Sequence, residues 1–97
     1  MGLTFHRLIR KDLRSVLAYY EEAVGPELAR RFYQEFEELV AAIERNPRRF
    51  HLVATMLRRA NFRSFPYHLL FRETEAGPRV LVLRHHRRHP DHGAERQ

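Results

Sequence analysis

The sequence predicts an α+β fold of order β-α-α-β-β-β, with a helical hairpin packed on one face of a small, mainly antiparallel four-stranded sheet. Three observations carry this. A long segment with apolar residues at helical spacing fills 26–46, and a Gly25-Pro26 pair divides it from a second helical segment. Three short strand-like runs follow within 57–86, joined by linkers short enough to favour antiparallel returns.

The run "LTFHRLI" (3–9) alternates as a half-buried strand, with Leu3, Phe5 and Ile9 inward and Thr4 and His6 outward. In "KDLRSVLAYYEEAV", Leu13, Val16, Leu17, Tyr20 and Val24 share one helix face. Glycine suits the left-handed position just past a helix, and proline suits the first turn of the next, where its missing N–H would lack a partner anyway. In "PELARRFYQEFEELVAAIERN", Leu28, Phe32, Phe36, Leu39, Val40 and Ile43 form an apolar stripe, with Glu35, Glu37, Glu38 and Glu44 mostly off it. Asn46-Pro47 stops this helix, because a residue before proline avoids the helical region. "PRRFHLVATM" reads as a connector. Strands are then expected at 57–62, 67–74 and 79–86, linked by "RSFP" and "EAGP". One domain over 1–90 and a frayed tail over 91–97 complete the expectation.

The chain has 97 residues, 43% of them apolar and none of them cysteine, which fits a folded domain without disulfides or thiolate metal sites. No apolar run reaches the ~20 residues that span a bilayer, and the N-terminus lacks the apolar core of a secretion signal. A cytoplasmic protein is expected, with no membrane partner. The net charge of +6 is unevenly placed. Residues 1–45 hold 7 basic and 8 acidic side chains; residues 46–97 hold 11 basic and 4 acidic, an excess of seven cations. Nearly all are arginine, whose planar fork matches carboxylate and phosphate. Such segregation predicts a positive face that meets something acidic.

Three stretches carry a family resemblance. "LAYYEEAVGPELARRFYQEFEELVAAIERNP" resembles the helical hairpin of the RelE/ParE superfamily of bacterial toxins. "FRSFPYHLLFR" is similar to that family's FPY strand, and "VLVLRHHRRHP" to its closing strand, where a histidine is followed by Arg-Arg and Pro. The resemblance covers nearly the whole chain and implies the toxin of a type II toxin–antitoxin system, neutralised by a cognate antitoxin. RelE-like members cleave mRNA on the ribosome without metal; ParE-like members act on DNA gyrase. The FPY and His-x-Arg-Arg words lie closer to the ParE, or plasmid stabilisation, branch.

A metal-independent ribonuclease needs a base, an acid and cations around the phosphate. On the resemblance, His68, His86 and Arg87 would fill these roles if the chain were a ribonuclease. The lysine pair of the RelE type is absent from 46–97, and no tyrosine follows Tyr67, which favours an interaction protein over a nuclease. A degenerate member that only binds its antitoxin is a third reading. Arg58, Arg59, Arg63, Arg72, Arg84 and Arg88, with Arg87, form the basic patch expected to bind target or antitoxin. His68 alternates with Tyr67 and Leu69, so it should face away from the helices as a surface residue. His85 and His86 are adjacent on a strand and face opposite ways, so only one can join a given site. With His89 and His92 they read as a solvated tail rather than metal ligands, and neither metal nor other cofactor is expected. Tyr19, Tyr20, Phe32, Tyr33 and Phe36 read as hairpin packing.

Overall fold

The computed structural model describes residues 2–97. Strand β1 (Thr4–Phe5) leads into helices α1 (Ile9–Ala23) and α2 (Pro26–Arg45). A 3₁₀ turn (Pro47–Arg49) then precedes strands β2 (His51–Ala54), β3 (Leu57–Asn61), β4 (Tyr67–Thr74) and β5 (Gly77–His85). The sheet order is β1-β5-β4-β3-β2. All pairings are antiparallel except β1 with β5. The α+β class and the helical hairpin on a mostly antiparallel sheet are as the sequence predicts. Among the described residues, no helix is long and apolar enough to cross a membrane.

The sheet has five strands, not four. The connector over 47–56 holds β2, which pairs with β3 across a two-residue turn, Thr55-Met56. Met56 takes the left-handed conformation, φ 60°, that a glycine or asparagine normally marks in such a turn. With neither residue there, and with all four residues of β2 exposed, no local signal reveals the hairpin. The first strand is shorter than the predicted 3–9. The His6 imidazole Nδ1 accepts the Leu8 N–H at 3.1 Å, and the His6 carbonyl accepts the Ile9 N–H at 3.0 Å, turning the chain into α1. Ile9 is therefore buried as a helix residue.

The hairpin turns at Gly25, whose φ of 142° is closed to most side chains. Phe32 is the hub of the core. It stacks on Phe62 with centroids 4.6 Å apart and meets Phe65 and Tyr67 edge-on. These contacts tie α2 to the β3–β4 linker and the start of β4. Val80, Leu69, Leu83 and Phe71 complete the floor under the hairpin.

Glu35, placed off the apolar stripe by the sequence reading, is only 7% exposed. Its Oε1 accepts the backbone N–H groups of Arg63 and Ser64, both at 2.8 Å. Two N–H donors that no strand can pair are thereby satisfied, and the linker is clamped to α2.

The C-terminal segment packs back onto the domain through Arg96. Arg96, 9% exposed, donates to the Asp12 carboxylate at 2.6 Å and to the Leu81 carbonyl at 3.0 Å. Asp12 in turn accepts the Leu83 N–H at 3.1 Å. The edge of β5 beyond β1 is thus closed by a side-chain pair instead of a strand. Gly93, at φ 77°, lies so close to Val82 that a Cβ would stand 2.6 Å from its Cγ2.

Candidate functional site

Cross-strand partners share a sheet face, so the register sorts the arginines. Ala60 pairs Leu69 and Leu69 pairs Leu83, all three beneath the helices. Arg59 pairs Leu70, Asn61 pairs His68, His68 pairs Arg84 and Leu57 pairs Arg72, all on the opposite face. Arg58 pairs Phe71 and so faces the helix side. The expectation that the basic residues of the meander act as one patch therefore needs correction.

Arg58 donates to Glu73 at 2.7 Å and to the Phe50 carbonyl at 2.7 Å. That guanidinium, with Arg48 behind it, holds the Glu73 carboxyl below the usual carboxylate range. Arg63 lies in the linker, within 3.4 Å of Glu35 and 3.6 Å of Glu38. Both arginines are occupied by acids of the chain itself. Arg59, Arg72, Arg84, Arg87 and Arg88 form no ion pair among the described residues, and the first three line the face away from the helices. Arg87 and Arg88 stand exposed in the turn after β5. Arg72 has its Nε buried with no partner among the described residues.

His68 does face away from the helices, but it is not a surface residue: it is 1% exposed. Arg84 donates through Nε to His68 Nε2 at 2.9 Å. On the other side, His68 Nδ1 and His86 Nδ1 are 2.9 Å apart, their rings nearly parallel at 14°. Arg59 Nη2 lies 3.2 Å from the same His86 Nδ1, while Arg59 Nε donates to Asn61. Arg84 is held from behind by the tail, donating to the carbonyls of Pro90 at 2.7 Å and His92 at 2.9 Å. Burial, then Arg59, Arg84 and the neighbouring histidines, push the His68 imidazole down to about 3. Burial and Arg59 lower His86 as well. Both rings are neutral at physiological pH.

Of the adjacent pair, His85 turns to the helix side, edge-on to Tyr67 at 5.0 Å, and its Nδ1 accepts the Arg87 N–H at 3.0 Å. His86 is the member that reaches the helix-free face. His89 lies beside Asp91, and His92 lies near Arg96 and Asp12, so the four histidines of this segment do not converge. The structure brings His68, His86, Arg59 and Arg84 into contact, keeps Arg87 and Arg88 adjacent, and separates Arg58 and Arg63 from them.

A second feature lies elsewhere. A groove of about 750 Å³ opens between β1, the start of α1 and α2, lined by Phe5, Ile9, Leu13, Tyr33, Phe36 and Val40. Phe5 and Tyr33 are 44% and 42% exposed there. The sequence pattern predicts Phe5 on the inward face and Tyr33 in hairpin packing. Both do contact Phe36, but each leaves one side open.

A family model described as the ParE toxin of type II toxin-antitoxin system, parDE, matches residues 3–90. No curated protein matches the chain. Among solved structures, the chain resembles one from the chromosomal ParDE TA system from P. aeruginosa. The TM-score is 0.78 and the identity 20%, over 88% of this chain and 95% of that chain. At that identity the likeness shows a shared fold.

Proposed function

The chain belongs to the ParE toxin family of type II toxin–antitoxin systems, and we propose that it blocks bacterial growth by acting on DNA gyrase in the cytoplasm and is held inactive by a cognate antitoxin. One observation carries the reading. Arg59 stands against His86, Arg84 stands against the His68 behind it, and Arg87 and Arg88 follow in the exposed turn after β5, none of them in an ion pair among the described residues. A cationic face of this kind is suited to docking an acidic surface and speeds encounter with one.

The same geometry weighs against the ribonuclease alternative. His68 is sealed from solvent with both ring nitrogens engaged, so it cannot reach a 2′-hydroxyl or a leaving oxygen. Arg87 and His86 alone do not supply a base, an acid and a phosphate clamp. For the antitoxin, the apolar groove between β1 and α2 supports docking of an amphipathic segment.

The test is induction of the chain in a bacterium lacking the antitoxin, with RNA ends and plasmid supercoiling followed together. DNA damage and an SOS response with intact mRNA are expected. Codon-phased mRNA cuts would transfer the chain to the RelE-type reading, and unaffected growth would leave only antitoxin binding.

A further inference from the structure

The hydrogen bonds around His86 have only one consistent set of protons. A guanidinium N–H can only donate, so His68 Nε2, which receives Arg84 Nε–H at 2.9 Å, is a lone pair. A neutral imidazole with a bare Nε2 carries its proton on Nδ1. That proton points at His86 Nδ1, 2.9 Å away. Arg59 Nη2 also aims a donor at this atom, at 3.2 Å. His86 Nδ1 is therefore an acceptor, and the His86 proton sits on Nε2. His86 is exposed, and its Nε2 has no partner among the described residues.

We propose that Arg84 and His68 act as positioning residues that lock His86 with an outward Nε2–H, and that this donor, with the Arg59 guanidinium beside the same ring, binds a side-chain carboxylate of an acidic partner segment. A free histidine would split its proton between the two nitrogens and present a lone pair part of the time. Here the outward atom is a donor throughout the neutral range. It cannot accept a proton from a substrate without breaking the relay, so the ring serves recognition of an oxyanion and not base catalysis. The tail is part of the device, because the Pro90 and His92 carbonyls fix the Arg84 guanidinium whose Nε feeds His68.

Protein carboxylate is favoured over nucleic-acid phosphate by what surrounds the donor. Single-stranded nucleic acid is held by cations together with aromatic platforms for its bases. The exposed aromatics Phe5, Tyr19 and Tyr33 all lie on β1 or the helices; Tyr19 shares a helix-side cavity with Arg84, His85 and Arg88, away from the face on which His86 meets His68 and Arg59.

This rests on the basic face being the working surface, as proposed above. The test reads the isolated chain, so a wrong target assignment would leave its outcome unchanged. Label the full chain with ¹⁵N-histidine and record long-range ¹H–¹⁵N spectra at pH 7. Then titrate with acetylated hexaglutamate, with hexauridylate, and with NaCl to matched ionic strength. The expected result is a protonated Nε2 and a lone-pair Nδ1 for His86, with the Nε2–H resonance moved by hexaglutamate and not by NaCl. In Arg84→Lys, which keeps the charge but loses the Nε–H, His86 should become a tautomer mixture and hexaglutamate should bind about tenfold more weakly. His68→Phe should do the same; if it fails to fold, the wild-type spectrum still decides. A His86 proton on Nδ1, or an equal response to NaCl, would overturn the proposal. A stronger response to hexauridylate than to hexaglutamate would overturn the carboxylate assignment.

Discussion

His68 on β4 and His86 just past β5 face each other Nδ1 to Nδ1 at 2.9 Å, with Arg84 on the inner side and Arg59 on the outer. Two imidazoles this close, between two guanidiniums, must both be neutral, and the buried one has the stronger reason.

That arrangement makes stability fall in mild acid. The unfolded His68 takes up a proton near 6.5, whereas the folded one resists until about 3. Between those values the unfolded chain binds more protons, so stability is full above pH 6.5 and is lost as pH drops towards 3. His68 alone should account for about 2 kcal/mol between pH 6.5 and 5. His6, His86 and His92, all lowered, add to it in the same direction. Urea unfolding of wild type and His68→Phe across this range should show a shallower slope in the variant.

Arg58 and Arg59 are neighbours with opposite fates. Arg58→Ala should cost about 1–3 kcal/mol of stability, since Glu73 and the Phe50 carbonyl lose a charged donor. Toxicity per folded molecule should be unchanged. Arg59→Ala should barely move the melting temperature and should lower toxicity. Thermal unfolding beside growth inhibition separates the two.

The Arg96–Asp12 pair should be strongly stabilising only as a pair. Arg96→Leu leaves a buried carboxylate and should cost about 3–5 kcal/mol. Adding Asp12→Asn should recover part of that loss, because the Leu83 N–H keeps an acceptor while the stranded charge disappears. A double-mutant cycle by urea denaturation gives the coupling directly.

Glu35→Ala strands the N–H groups of Arg63 and Ser64 and should cost about 1–3 kcal/mol. Glu35→Gln, which keeps an acceptor oxygen, should lose less. Faster amide exchange at Arg63 and Ser64 in the alanine variant would locate the effect.

Much of this molecule is legible in the sequence where the cause is local. The helices follow from spacing and from Gly25-Pro26 and Asn46-Pro47, and the strand at 67–74 falls where its alternation puts it. Glu35 was also within reach: it lies three residues after Phe32 and four before Leu39, on their face of the helix. The opposite fates of Arg58 and Arg59 follow from strand alternation, once each is asked which side it takes. The hairpin through Thr55-Met56 was not legible, since its left-handed residue is a methionine. Nor was the burial of His68. Its face is set by alternation, but its partners are Arg84 and His86, and Arg84 is held in turn by the Pro90 and His92 carbonyls of the returning tail.

The exposed cations after β5, with Arg59 beside His86, are the surface proposed to engage the target. Supercoiling of relaxed plasmid by purified DNA gyrase, with the purified chain added, tests it most directly when wild type is run against Arg87→Glu/Arg88→Glu. Both positions are exposed and form no ion pair among the described residues, so the variant should fold as wild type does. Wild type should inhibit supercoiling and the charge-reversed variant should not. Equal inhibition by the two, with both folded, would contradict the account.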